Sequence, residues 1–129
     1  MSAVLITSIT AITLALIFYT IGVWAEHKAK ILKWSHFVFF VLGFVADTTG
    51  TLAMSTMADK AESSRSALIS LHGITGALAI ALMLIHVIWA LIVLIKGRET
   101  AKAQFHKFSL IVWGIWLIPY FIGMFMGMI

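Results

Sequence analysis

The sequence has no cysteine, a single proline and very little charge. Without cysteine, disulfide bonds, iron–sulfur clusters and thiolate-ligated haem are excluded. Only 11% of the 129 residues are charged and 62% are hydrophobic, whereas a soluble domain carries about a quarter charged residues. So small a charged fraction cannot cover a water-exposed surface. We therefore predict an integral membrane protein, and we find no phosphate-binding loop, nucleotide motif or hydrolase constellation in it.

Four apolar segments dominate what is present. Each is long enough to cross a hydrocarbon core of about 30 Å, which takes about 20 helical residues. The loops between them are short, so successive helices are expected to be antiparallel neighbours. The sequence therefore predicts an all-α fold, a single transmembrane domain over 1–129 built as an up-down-up-down four-helix bundle. The predicted spans are about 3–24, 34–57, 67–95 and 106–128.

The basic residues indicate the orientation of this bundle. Seven of the nine lysines and arginines lie in or beside the first and third loops, at 26–33 and 96–107. The positive-inside rule places these loops in the cytoplasm and both termini outside the cell. The net charge of +4 is then a topological feature, and nucleic acid is not an expected partner.

Histidines inside the apolar segments are the first candidates for function. His72 and His86 are fourteen residues apart on the third span, about 40° short of four full turns and about 21 Å apart along the axis, so they share one face. Imidazole within a membrane is costly and marks a proton path, a metal or a cofactor. His36 and His106 begin the second and fourth spans, which lie diagonally across the predicted bundle. The candidate haem-iron ligands are His36, His72, His86 and His106.

Other polar and small residues have simpler interpretations. His27, which lies between two charged residues, is taken as a solvated interfacial histidine and not as a ligand. Asp47 lies within the second span and must find a partner or stay protonated. The first span is expected to be a scaffold helix. Two contact predictions complete this set: a hydrogen bond from Asp47 to Thr48, Thr51 or His72, and close helix approach at Gly73, Ala77 and Ala81.

Haem b explains more of these features than any other cofactor. A non-haem metal site needs its ligands in one coordination sphere, whereas these histidines are spread over both halves of the membrane. The main predicted function is haem capture that limits haem toxicity; the alternative is a b-type cytochrome carrying electrons from a quinone to ferric iron or peroxide. A small-molecule transporter is the weakest alternative. Expected partners are haem, the lipid bilayer, a quinone or other redox partner, and a second copy of the chain. Whether the protein is an enzyme is left open, because any oxidoreductase activity would depend on the haem.

Three segments resemble the HsmA family of small bacterial four-span haem-sensing or haem-binding membrane proteins. They are WSHFVFFVLGFVADTTGTLAMS, LHGITGALAIALMLIHVIWALIVLIK and FHKFSLIVWGIWLIPYFIGM, at 34–55, 71–96 and 105–124. The resemblance implies haem binding in the bacterial plasma membrane and a role in tolerance of haem or oxidative stress, under the control of a partner regulator. It assigns no ligands, so the four histidines rest on the helical argument.

Overall fold

Four helices make up the part of the chain that the computed structural model describes. It describes the backbone of 3–60 and 66–128, and the side chains of 3, 6–53 and 73–125. The helices are α1 (Ala3–Ala29), α2 (Trp34–Lys60), α3 (Ser66–Lys96) and α4 (Glu99–Met128). Each contains a segment long and apolar enough to cross a membrane: Ile6–Ala29, Trp34–Ala53, Gly73–Lys96 and Glu99–Phe125. The predicted all-α class with four spans is confirmed, and no strand occurs in the described ranges.

All four helices are longer than the predicted apolar segments, and the differences are largest for α1 and α4. α1 continues to Ala29 and α4 begins at Glu99, because hydropathy marks the part of a helix that lies in lipid and not where the helix ends. Residues with positive φ terminate α1 and α3. The N–H of Lys30 (φ 60°) donates to the Glu26 carbonyl at 2.8 Å, and that of Gly97 (φ 70°) donates to the Val93 carbonyl at 3.0 Å. Both are the left-handed caps with which helices commonly end.

The helices form a ring in which each contacts two others. α1 packs against α2 and α4, and α3 packs against the same two helices. The pairs α1/α3 and α2/α4 are therefore diagonal. The end of the bundle that carries the loops after α1 and α3 is called the basic end below. There the Leu32 N–H donates to the Lys102 carbonyl at 3.0 Å, and the buried Leu32 side chain closes the core.

Glycines allow α1 and α2 to approach closely. A Cβ on Gly43 would overlap the Tyr19 ring, and one on Gly50 would lie 2.7 Å from Ile12. The stripe predicted on α3 behaves differently, because Gly73, Ala77 and Ala81 are all exposed. A Cβ on Gly73 would meet nothing within 4 Å. The expectation that α3 packs through this stripe is wrong within the bundle, since the face that α3 buries carries Ala79, Met83, His86 and Ala90 instead.

Replacing Gly43 tests this close approach. We expect Gly43→Ala to lower the free energy of unfolding by about 1–3 kcal/mol, because the added methyl group displaces the buried Tyr19 ring. Thermal unfolding of the purified protein in detergent measures the change. The control is Gly114→Ala, where a Cβ would meet nothing within 4 Å. A loss at Gly114 as large as the loss at Gly43 would contradict this account of α1–α2 packing.

Candidate functional site

A buried carboxyl group joins three helices in the middle of the bundle. Asp47 on α2 is 4% exposed. Its Oδ2 accepts hydrogen bonds from the Tyr19 hydroxyl at 3.1 Å and the Trp116 indole N–H at 2.9 Å. Tyr19 lies on α1 and Trp116 on α4, and their rings meet edge to face with centroids 5.1 Å apart. This group ties the diagonal pair α2 and α4 together through α1.

The sequence predicted other partners for Asp47. Of the three expected, Thr51 does hydrogen-bond to the carboxyl group. The Thr48 hydroxyl is instead buried without a partner among the described residues. The side chain of His72 lies outside the described residues. Tyr19 and Trp116 were missed because their donors come from other helices, which spacing along one helix does not reveal.

His86 lies in an apolar cage on α3. Its side chain is fully buried, and its Nε2 is 2.9 Å from the Ser109 hydroxyl of α4. Three phenylalanines surround the ring, with centroids at 4.5 Å for Phe40, 5.1 Å for Phe105 and 5.8 Å for Phe108. The Nδ1 atom is buried without a hydrogen-bond partner. The cage therefore holds an imidazole with one ring nitrogen that makes no hydrogen bond.

Glu26 is a second buried group with unpaired atoms, and sequence reasoning missed it. Its side chain has 0% exposure, and neither carboxyl oxygen has a partner at hydrogen-bond distance. The Ser109 hydroxyl interacts with this carboxyl but makes its short contact with His86. The sequence contained a usable signal, since seven residues separate Glu26 from Tyr19. That spacing puts both within about 20° on one helix face.

His27 and His106 form a pair between α1 and α4. Their Nδ1 atoms are 3.0 Å apart, and His27 is only partly exposed. The expectation that His27 is merely solvated is wrong, because α1 extends beyond Trp24 and carries His27 onto α4. α1 is for the same reason more than a scaffold helix. One Nδ1 of the pair must donate and the other accept, so if both rings are neutral, one of them has an unprotonated Nε2.

Aromatic side chains hold this pair in place. The Trp24 ring meets His27 edge-on at 5.6 Å and Trp113 at 5.5 Å. The Trp113 indole N–H donates to the Thr20 hydroxyl at 3.1 Å. Trp24 is itself partly exposed, and its contact with Trp113 links α1 to α4 beside the histidine pair.

His36 makes a local contact at the start of α2. Its Nδ1 accepts a hydrogen bond from the Lys33 backbone N–H at 3.1 Å. In a capping box, the side chain of the third helical residue, usually glutamate or glutamine, accepts a hydrogen bond from the N-cap backbone N–H. His36 makes the same contact here. A neutral imidazole that accepts at Nδ1 carries its proton on Nε2. His36 would have to give up this bond before either ring nitrogen could bind iron.

The predicted ligands thus do not share one contact. Among the side chains that the structure describes, His86 meets Ser109, His106 meets His27, and His36 meets a backbone N–H. Within those same residues there is no group of three or more histidines and carboxylates that could hold a metal ion. Haem requires less of the protein, because the porphyrin supplies the equatorial nitrogens and one or two side chains complete the coordination. The unpaired Nδ1 of His86 in its dry cage fits that requirement.

Comparison with known families identifies where such a bundle belongs. Residues 2–128, nearly the whole chain, match the family described as eukaryotic cytochrome b561. The chain belongs to the cytochrome b561 family. This family binds haem b in a lipid bilayer, so membership supports the predicted cofactor and the membrane setting. No curated protein and no solved structure matches the chain.

Membership in the cytochrome b561 family overturns the resemblance to HsmA. The match covers all four helices, whereas the likeness to HsmA rested on three apolar segments with histidine, glycine and aromatic residues. Such segments recur wherever helices enclose a porphyrin, so they are a poor guide to one family. The bacterial plasma membrane, the partner regulator and the role in stress tolerance rested on HsmA and lose that support.

The hydrogen bonds at Asp47 lead us to expect a measurable contribution to the free energy of unfolding. We expect Trp116→Phe to lower the free energy of unfolding by about 1–3 kcal/mol, because the carboxyl group loses a donor and water cannot replace it. Trp89→Phe is the matched control, since the Trp89 side chain is exposed. Both changes are measured by thermal unfolding in detergent. Equal stabilities for the two variants would show that the indole N–H contributes nothing.

Proposed function

We propose that this protein is a b-type cytochrome that binds haem b within the membrane and carries electrons. The observation that supports this most directly is the buried, unpaired Nδ1 of His86 in a phenylalanine cage. Membership in the cytochrome b561 family supports the same function. Bound haem supplies an iron that changes between the ferric and ferrous states by one electron. The protein supplies the axial ligand and excludes water.

Two of the candidate histidines, His86 and His106, form the proposed site. His86 would hold the haem iron, and Phe40, Phe105 and Phe108 would form the apolar surroundings. His106 would be the second histidine to hold it, and its Nδ1 lies 3.0 Å from the Nδ1 of His27. Ligating histidines usually carry such a partner on the other ring nitrogen, which fixes the tautomer and the ring orientation. His72 remains a candidate on the basis of sequence alone.

The basic end is the proposed cytoplasmic side, with both termini outside. Lys28, Lys33, Lys102 and Lys107 then form a basic rim that suits the haem propionates. Lys102 is already paired with Glu99 at 3.4 Å, where Glu99 is exposed. Exposed ion pairs contribute little, so the rim orients the haem more than it holds it. A quinone is the proposed electron donor, with ferric iron or peroxide as the acceptor.

Visible spectroscopy and stopped-flow kinetics test this function. The protein is purified after expression with added haem, and we expect a Soret band and a b-type pyridine haemochrome spectrum. Reduction by a quinol within seconds would support electron transfer. A Soret band without reduction by quinol would favour haem capture, the main prediction from sequence. Absence of the Soret band would rule out both.

Two histidine variants test the ligand assignment. We expect His86→Ala to lose most of the bound haem, because the cage then offers no nitrogen. His36→Gln should keep its haem, since glutamine at the third helical position also accepts from the N-cap N–H. Haem per chain is measured by the pyridine haemochrome assay. His27→Ala is not a suitable control, because His27 contacts His106. Loss of haem in His36→Gln together with retention in His86→Ala would reverse the assignment.

A further inference from the structure

Three buried polar groups follow one another across the basic end of the bundle. Glu26 comes from α1, Ser109 from α4 and His86 from α3, and all three side chains have 0% exposure. Ser109 lies between the other two, with its hydroxyl 2.9 Å from His86 Nε2 and facing the Glu26 carboxyl. Buried polar groups are normally hydrogen-bonded, and those that are not call for an explanation. Here both Glu26 oxygens and His86 Nδ1 are buried without a partner at hydrogen-bond distance.

The direction of one hydrogen bond decides what His86 can do. If the Ser109 hydroxyl donates to Nε2, the neutral ring carries its proton on Nδ1 and has no lone pair for a metal. If Nε2–H donates to the Ser109 oxygen, the free lone pair is on Nδ1. The hydrogen bond on one ring nitrogen sets which nitrogen is metallated. Ser109 therefore controls the ligand atom.

Glu26 favours the direction in which His86 Nε2–H donates to the Ser109 oxygen. An ionised Glu26 carboxylate only accepts hydrogen bonds, and the Ser109 hydroxyl is the side-chain donor that interacts with it. When the Ser109 proton points to Glu26, the hydroxyl oxygen presents its lone pairs to His86. Phenylalanine, valine and leucine side chains fill the rest of this region, mainly Val23, Leu32, Phe40 and Phe105, and they offer no competing side-chain donor.

We propose that Glu26 and Ser109 are positioning residues that fix the His86 tautomer with its proton on Nε2. Ser109 donates to the Glu26 carboxyl and accepts from His86 Nε2–H, which leaves Nδ1 as the free ligand atom. This arrangement extends the usual carboxylate–histidine–metal contact by one hydroxyl group. The part that concerns iron rests on the proposed haem-binding function, whereas the tautomer is a property of the chain itself.

Nitrogen NMR of the full chain in lipid bilayers tests the tautomer directly. With labelled histidine, the ring nitrogen shifts of His86 distinguish Nε2–H from Nδ1–H, and His86→Gln assigns the signal. In the haem-free protein we expect Nε2–H for the wild type, Glu26→Gln and Ser109→Thr, since glutamine still accepts and threonine keeps the hydroxyl. Glu26→Met and Ser109→Ala should lose this preference. Ser35→Ala, at an exposed serine on α2, is the matched control.

Haem titration of the same variants gives an independent readout. We expect Glu26→Met and Ser109→Ala to weaken haem binding by about 10–100-fold, the usual effect of losing a partner of a metal-bound histidine. Ser109→Thr and Ser35→Ala should stay within a few-fold of the wild type. A wild-type ring with its proton on Nδ1, or a Glu26→Met spectrum identical to the wild type, would overturn the proposal. If no variant or wild type binds haem, the proposed function fails, while the NMR result still decides the tautomer.

Discussion

Polar side-chain atoms inside this bundle need partners from the protein itself, because lipid offers none. Asp47 shows how the constraint is met. Its carboxyl group accepts from Tyr19 on α1 and Trp116 on α4, and each hydrogen bond to such a group contributes about 1.5–3 kcal/mol. Since α2 and α4 are diagonal and share few other contacts, this polar centre does more than compensate for burying Asp47. It ties three of the four helices together around the core.

At the basic end of the bundle, some buried polar atoms lack a hydrogen-bond partner among the described residues. There His86 Nδ1 has no partner and neither Glu26 oxygen has one at hydrogen-bond distance, which costs several kcal/mol unless a nearby donor, a ligand or a proton compensates. A bundle that satisfies Asp47 with two donors from other helices is able to satisfy polar groups where stability alone matters. Thr48, beside Asp47, also has an unpartnered hydroxyl, but within the described part of the chain only at the basic end do unpaired ionisable groups lie close together, and this supports the proposal that the binding site is there. The phenylalanines around His86 favour an apolar, planar group over a hydrated ion.

The sequence predicted the fold class well because membrane spans depend on hydropathy and length, which are local. It also selected His86 and Asp47, since any polar side chain within an apolar segment is conspicuous. The sequence did not predict which side chains of different helices are in contact. His27 was set aside because its neighbours in the chain are charged, yet α1 continues past Trp24 and brings it within 3.0 Å of His106. Glu26 was overlooked for the same reason, and the family was misassigned because similar apolar segments serve unrelated haem proteins.

α1 connects the two parts of the molecule. Tyr19 and Glu26 share one face of this helix, and the close packing at Gly43 sets the position of Tyr19 against α2. Since Tyr19 is tied to Asp47, a rotation of α1 that improved the surroundings of Glu26 would break a buried hydrogen bond at the centre. The central contact therefore holds Glu26 in its unfavourable position beside Ser109. In this way a structural interaction in the middle of the bundle keeps a buried carboxyl group beside Ser109, at the site where the protein is proposed to hold its haem.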